Sequence, residues 1–103
     1  MRVTGSGIAG FDRLAFNGRA SGPLGIWVQL RDEADEVWKR SVYLGLGDRP
    51  VVVPFSDFRP ATGTRAAVPD LRTVRSILFV ADLTNTNAGA SGRINLRAVR
   101  LER

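Results

Sequence analysis

Alternation of apolar and polar residues runs through most of the chain and predicts β-strands. The runs at 13–17, 24–31, 41–44 and 94–97 each place apolar side chains at every second position, as expected of strands with one buried face. Positions 77–81 are apolar at both parities, which predicts a central strand covered on two faces. No stretch keeps the helical spacing for long. The pattern therefore predicts an all-β protein.

The last of these strands changes parity along its length. Ile94 and Leu96 share one parity, whereas Val99 and Leu101 share the other. Successive side chains of a strand point to opposite faces, so one extra residue is needed to keep these four on a single face. We therefore predict a β-bulge near Ala98.

Turn-forming residues separate the strands. Segments 17–23, 31–36, 45–48 and 84–92 are rich in Gly, Asn, Asp, Ser or Pro, the residues that turns favour. Segment 56–70 predicts a longer loop with one helical turn. Strands at this spacing predict about seven strands in an antiparallel, jelly-roll-like β-sandwich. The chain of 103 residues corresponds to a single domain, residues 1–103.

One predicted hairpin carries both core residues and a polar, aromatic face. Strands 24–31 and 37–44 are joined by a short charged turn, so they should pair antiparallel, with facing side chains about 5 Å apart. Ile26 and its alternate neighbours form the core side, and Trp38 is expected at the rim of the sandwich. The other side is either exposed to solvent or a binding surface, and it carries Trp27, Gln29, Arg31, Lys39, Ser41 and Tyr43.

Composition excludes several chemistries. The chain has no Cys and no His, so it lacks a disulfide framework, a thiolate zinc site and a Ser-His triad. Four of its acids cluster at 32–36 in the hairpin turn, where solvation rather than paired acid–base catalysis is expected. The sequence predicts no enzyme, no cofactor and no metal. No apolar run is long enough to span a membrane. Residues 1–10 show no signal peptide, so we expect secretion only for a larger chain.

Four segments together resemble one family: 10–19, 38–44, 53–58 and 91–101. They are similar to the galactose-binding-like jelly roll of complex I intermediate-associated proteins and of family 11 carbohydrate-binding modules, and Val53–Phe58 (VPFSDF) is the most specific part. The family's domain has extra strands before the matched part, so the resemblance implies a jelly roll shortened at its N-terminus. Arg97 and Ala98 stand where the family often has paired acids, which argues against a calcium site.

The resemblance implies non-catalytic binding of an oligo- or polysaccharide. Sugar recognition needs an aromatic surface for the ring and planar polar groups for the hydroxyls. Strands near the hairpin are expected to add three polar residues, Asp82, Asn95 and Arg97. The structural alternative is that Trp27 covers a neighbour, that the arginines are solvated and that Asp82 pairs with Arg93 or Arg97. The predicted ligand-binding residues are Trp27, Gln29, Arg31, Tyr43, Asp82, Asn95 and Arg97.

The sequence is also compatible with two other classes of function. A shortened sandwich exposes strand edges, so the alternative to sugar binding is a structural or interaction module, and we expect a homo-oligomer. The net charge of +5 also suits nucleic acid. Stacking of bases would need cations on the aromatic face, and only Arg31, Lys39 and Arg97 qualify, so nucleic acid is not favoured.

Overall fold

The computed structural model describes residues 3, 7–81 and 94–103, and these form two antiparallel sheets. The front sheet has the order β5-β3-β2-β6 and the back sheet the order β4-β1-β7. The predicted all-β, jelly-roll-like sandwich of seven strands is confirmed. The strands are β1 Arg13–Ala20, β2 Leu24–Asp32, β3 Val37–Leu44, β4 Arg49–Pro54, β5 Arg59–Pro60, β6 Val74–Ala81 and β7 Ile94–Glu102.

The predicted hairpin is the centre of the front sheet. Strands β2 and β3 pair antiparallel over their whole length, with Trp27 opposite Ser41 and Gln29 opposite Lys39. The turn between them is held by Asp32, whose Oδ1 accepts the backbone N–H of Ala34 and of Glu36, each at 2.9 Å. The register therefore confirms which side chains share the polar, aromatic face.

Strand β6 is not the central strand that its apolar run suggested. Among the described strands its only sheet neighbour is β2. Ile77 points inward and is fully buried, whereas Val80 points outward and is 40% exposed. The second apolar parity therefore lies on a partly open surface and not under a second layer.

The core fills the space between the two sheets. Phe16 from β1 meets Phe79 from β6 edge-on, with ring centroids 5.4 Å apart. Burial of each large apolar side chain contributes roughly 1.5–3 kcal/mol. The largest fully buried side chains are Trp38, Phe16, Phe58, Ile8, Leu14, Ile26, Leu30, Leu44, Ile77, Val28 and Val74.

The placement of Trp38 at the sandwich rim was wrong, because its side chain is only 1% exposed. Its parity on β3 is that of the inward Leu44, and the loop after β5 closes over it. The indole Nε1–H donates to the carbonyl of Ala66 at 3.0 Å. The Thr64 hydroxyl donates to the carbonyl of Val37 at 2.8 Å and accepts its N–H at 3.1 Å. These bonds join the loop to the strand.

The predicted bulge in β7 is confirmed. The pairing with β1 shifts by one residue between Ala15, opposite Arg100, and Asn17, opposite Arg97. Ala98 takes up the extra length with φ of 53°, a left-handed conformation that costs an alanine roughly 1–2 kcal/mol. The bulge keeps both halves of the apolar pattern directed at the core.

The Val53–Phe58 segment links the back sheet to the front sheet. It leaves β4, forms a 3-10 turn at Phe55–Asp57 and enters β5. Phe55 and Phe58 are 5% and 2% exposed, and their ring centroids are 6.2 Å apart. The Phe58 N–H donates to the Phe55 carbonyl at 3.2 Å. The segment that carries most of the family resemblance is therefore a core element.

Candidate ligand-binding face

The outward side of the front sheet brings most of the predicted site residues together. Register places Gln29 in one row with Lys39 on β3, Leu78 on β6 and, beyond Lys39, Arg59 on β5. The next row holds Ser41, Trp27 and Val80. We call this surface the aromatic face; its side chains are Trp27, Gln29, Arg31, Lys39, Ser41, Tyr43, Arg59, Leu78 and Val80.

Trp27 lies near the middle of the aromatic face and is half-buried. The Lys39 Nζ is 4.5 Å from the centroid of its ring. A cation over an aromatic ring at an exposed site contributes only about 0.5–1 kcal/mol. The ammonium group therefore covers one side of the indole but is held there weakly enough for a ligand to displace it.

Tyr43 ends the aromatic face at one side and is 57% exposed. Its cross-strand partner is Gly25, which has no side chain, so the surface between Tyr43 and Trp27 is open. The carbonyl oxygen of Tyr43 accepts a hydrogen bond from the Arg49 Nη2 at 2.6 Å. A shallow depression of about 440 Å³ adjoins the tyrosine and is lined by Tyr43, Leu44, Gly45, Gly47, Asp48 and Arg49.

The opposite end of the face carries the exposed Arg31 beside the hairpin turn. A depression of about 540 Å³ lies there, lined by Val3, Arg31, Asp32, Glu33, Asp35, Arg75 and Ser76. Three of the four carboxylates of this turn are engaged, including Glu36, whose Oε1 accepts the Arg65 N–H at 3.4 Å. Asp32 holds the turn itself, and the Glu33 Oε2 is 3.1 Å from the Arg75 Nη2. This end of the face therefore offers no facing pair of free carboxylates.

Three cations of the aromatic face have no ion-pair partner among the described residues. They are Arg31, Lys39 and Arg59. The Arg59 Nη1 donates only to the carbonyls of Ser56 at 3.0 Å and Phe58 at 3.2 Å. The nine side chains of the face include no carboxylate. The surface therefore joins two accessible aromatic rings to three cations without an ion pair among the described residues.

Asn95 and Arg97 do not join this surface, so the expectation that they flank the hairpin is wrong. Their strand, β7, pairs with β1 in the back sheet. Asn95 lies opposite Arg19 and Arg97 opposite Asn17. The Arg97 guanidinium pairs with the Asp48 carboxylate. Asp82, and with it the predicted pairing to Arg93 or Arg97, lies outside the described residues.

The outward side of the back sheet, which we call the ion-pair face, has three of its four arginines in ion pairs. The Arg13 Nε is 3.4 Å from the Glu102 Oε1, and the Arg100 Nε is 2.7 Å from the Glu102 Oε2. The hydrogen bond from Arg100 lowers the pKa of the Glu102 carboxyl, and Arg13 adds to the shift. Arg13, Arg97 and Arg100 thus have carboxylate partners, whereas Arg19 on the same face has none among the described residues.

Sequence reasoning missed Arg59, Leu78 and Val80 as members of the aromatic face. Arg59 was hidden because a two-residue strand inside a long loop leaves no periodic signal. Leu78 and Val80 were assigned to a covered strand. In the described part of the chain, no three carboxylates are grouped to hold a metal ion, and no helix has the length and apolarity to span a membrane.

The two sheets and their connections define a jelly-roll β-sandwich, and comparison with solved structures gives the same class. The chain is similar to the family 11 carbohydrate-binding module of the cellulosomal cellulase Lic26A-Cel5E of Clostridium thermocellum, with a TM-score of 0.74 and 14% identity. The same score and 15% identity relate it to a family 11 module from that organism in complex with a β-1,3-1,4-mixed-linked tetrasaccharide.

These similarities show the fold, and they cover unequal parts of the two chains. They include 98% of this chain but only 63% and 64% of the two modules. The chain therefore spans less than two thirds of their length. No family model matches the sequence, and no curated protein matches it. The membership in complex I intermediate-associated proteins that the sequence suggested is thus not shown.

Proposed function

We propose that this protein binds carbohydrate without catalysing a reaction, through the aromatic face. The observation that carries the proposal is the pair of accessible rings, Trp27 and Tyr43, on one sheet surface beside Gln29 and Arg31. The C–H side of a sugar ring packs against an aromatic ring, and amide and guanidinium groups bind the hydroxyls at its edge. Aromatic surface with a few polar groups is typical of small-molecule sites.

The fold supports the same function. One of the similar structures holds an oligosaccharide, so the sandwich is compatible with sugar binding. Three of the four carboxylates of the hairpin turn are engaged, which leaves that acidic cluster without the facing pair of free carboxylates that glycoside hydrolysis uses. A contribution of Asp82, Asn95 or Arg97 to binding stays a prediction, and the last two would act from the ion-pair face.

Glycan-array binding tests the proposal. Wild-type protein should bind at least one glycan class, and Trp27→Ala and Tyr43→Ala should each weaken it about tenfold, because each removes a stacking surface. Val52→Ala is the matched control, since Val52 is 54% exposed but lies outward on the back sheet. Binding that both aromatic variants retain in full would contradict the proposed surface, as would a wild type that binds no glycan.

The alternative function is a structural module that associates through its sheet edges. In the described part of the chain, β4, β6 and β7 each pair with a single strand, and unpaired edges favour pairing with another chain. Light scattering on concentrated protein tests this alternative. A dimer or higher oligomer that persists after Trp27→Ala, together with absence of glycan binding, would favour assembly over sugar recognition.

A further inference from the structure

We propose that the carbohydrate is acidic, a polysaccharide of uronic acids whose carboxylates bind the cations of the aromatic face. This inference rests on the proposed function, because it assigns a ligand class to the same surface. It adds one requirement, namely that the ligand carry negative charge. The residues that would supply the recognition are Arg31, Lys39 and Arg59.

The charge of the aromatic face favours an acidic ligand. Arg31, Lys39 and Arg59 have no carboxylate partner among the described residues, and the aromatic face has no acid of its own. A neutral sugar would leave these charges unmatched. The back sheet differs, because there Glu102 and Asp48 pair with three of the four outward arginines and only Arg19 has no partner among the described residues. Unpaired cations are thus more numerous on the aromatic face than on the ion-pair face.

The spacing of the three cations also favours an acidic ligand. Lys39 and Arg59 are direct cross-strand partners, so their side chains start about 5 Å apart. Gln29 is the partner of Lys39 on the other side, and Arg31 lies diagonally from Lys39, a separation of roughly 7–8 Å. Three cations at these separations can meet carboxylates carried by successive sugars. A guanidinium group can also bind a carboxylate with two parallel hydrogen bonds.

The position of Lys39 over Trp27 couples stacking of a sugar to recognition of its charge. A sugar ring that stacks on this side of the indole must displace the Lys39 ammonium group, which is 4.5 Å from the ring centroid. The displaced group stays on its flexible stem beside the same sugar. A carboxylate on that sugar would then replace the weak cation–π contact with an ion pair. Stacking and charge recognition are therefore coupled at Trp27.

Other polyanions are a poorer match. Nucleic acids and heavily sulfated glycans carry dense charge and bind where many cations follow the chain. The aromatic face has three cations, and Gln29, Ser41 and Leu78 around them add only neutral side chains. One carboxylate per sugar suits this sparse arrangement better. Heparin and a single-stranded oligonucleotide are therefore competing outcomes of the test.

The experiment compares acidic polymers with neutral forms of the same backbone. The probes are polygalacturonate, alginate and glucuronoxylan, each paired with its carboxyl-reduced form, together with neutral mixed-linkage glucan. Binding is measured by affinity electrophoresis and titration calorimetry. We expect at least one uronate polymer to bind about tenfold or more tightly than its reduced form, because each exposed ion pair lost contributes up to about fivefold.

Single-residue variants test whether the preference for uronates arises from the aromatic face. Arg59→Gln and Lys39→Gln should each weaken uronate binding about three- to fivefold, and should weaken binding of the reduced polymer by less. Arg100→Gln is the matched control, since it removes the same charge from the ion-pair face. Emission from Trp27 should shift when uronate binds, whereas Trp38 is too buried to report.

Each remaining outcome overturns the inference in a distinguishable way. Equal binding of acidic and reduced polymers, or binding of mixed-linkage glucan alone, would contradict the proposal of an acidic ligand but leave the proposed function intact. Absence of binding to every glycan would contradict both the acidic ligand and the proposed function. Tighter binding of heparin or the oligonucleotide assigns the surface to another polyanion. Equal weakening by Arg100→Gln shows that only net charge is being measured.

Discussion

The two outward surfaces of the sandwich differ in how their charges are used. On the back sheet, Arg13 and Arg100 both contact Glu102, and Arg97 pairs with Asp48. On the front sheet, Lys39 lies over an indole ring and Arg31 has no ion pair with a described residue. Both sheets bury the same kind of apolar residue on their inward parity. The difference teaches that the inward parity specifies the fold, whereas the outward parity is where binding is to be sought.

The largest expected effect separates the two tryptophans. Trp38→Ala should lower the free energy of unfolding by about 3–5 kcal/mol, because it empties a fully buried site and removes the bond to Ala66. Trp27→Ala should cost less than about 1 kcal/mol, since it loses a half-exposed ring and its cation–π contact. Urea unfolding of both variants measures the difference. Similar losses for the two would show that Trp27 is a core residue and not part of a binding surface.

A smaller effect is expected at the ion-pair face. Arg100→Gln removes the main cause of the low Glu102 pKa, so that pKa should rise toward its ordinary value, measured by NMR titration of the carboxyl group. A carboxyl whose pKa is lower in the folded state stabilises the fold above the unfolded-state pKa, and this stabilisation disappears as the pH falls through the folded-state pKa.

The matched comparison for this titration is Arg31→Gln on the aromatic face. It should leave the Glu102 titration unchanged, because Arg31 lies on the other sheet. A Glu102 pKa that does not move in Arg100→Gln would show that the ion pair does not persist in solution. The contrast between neutralised and free cations would then be lost.

The smallest effect is expected at the bulge, which only the back sheet contains. Ala98→Gly should raise the free energy of unfolding by up to about 1 kcal/mol, because glycine removes the cost of positive φ while adding some flexibility to the unfolded chain. Thermal unfolding measures the gain. Ala15→Gly, at a buried position of the neighbouring strand β1 with no such conformation, should instead destabilise. A loss in both variants would argue against the left-handed conformation of Ala98.

The parity of each strand could be read from the sequence, but the neighbours of each strand could not. The change of parity between Leu96 and Val99 located the bulge at Ala98, since only one extra residue reconciles the two halves. The same reasoning could not tell that β7 joins β1, because alternation reports the face of a side chain and not the sheet of its strand. Asn95 and Arg97 were therefore assigned to the surface of the hairpin, although their strand belongs to the back sheet.

The aromatic face was predicted in part for the same reason. Trp27, Gln29, Arg31 and Tyr43 belong to one hairpin, whose register follows from its short turn. Arg59 comes from a distant segment, and its position depends on the path of the chain after Phe58. Trp38 was misplaced because its parity on β3 includes the exposed Arg40, so the pattern alone did not identify a buried position.

Arginine contacts along the edge of β3 have a consequence for behaviour at high concentration. The carbonyls of Tyr43 and Ser41 accept the side chains of Arg49 and Arg40, in a stretch where β5 no longer pairs with β3. An incoming strand would have to strip both guanidinium groups before it could add to this border. The strand that presents the exposed Tyr43 thus also carries the arginine contacts that oppose edge-to-edge association.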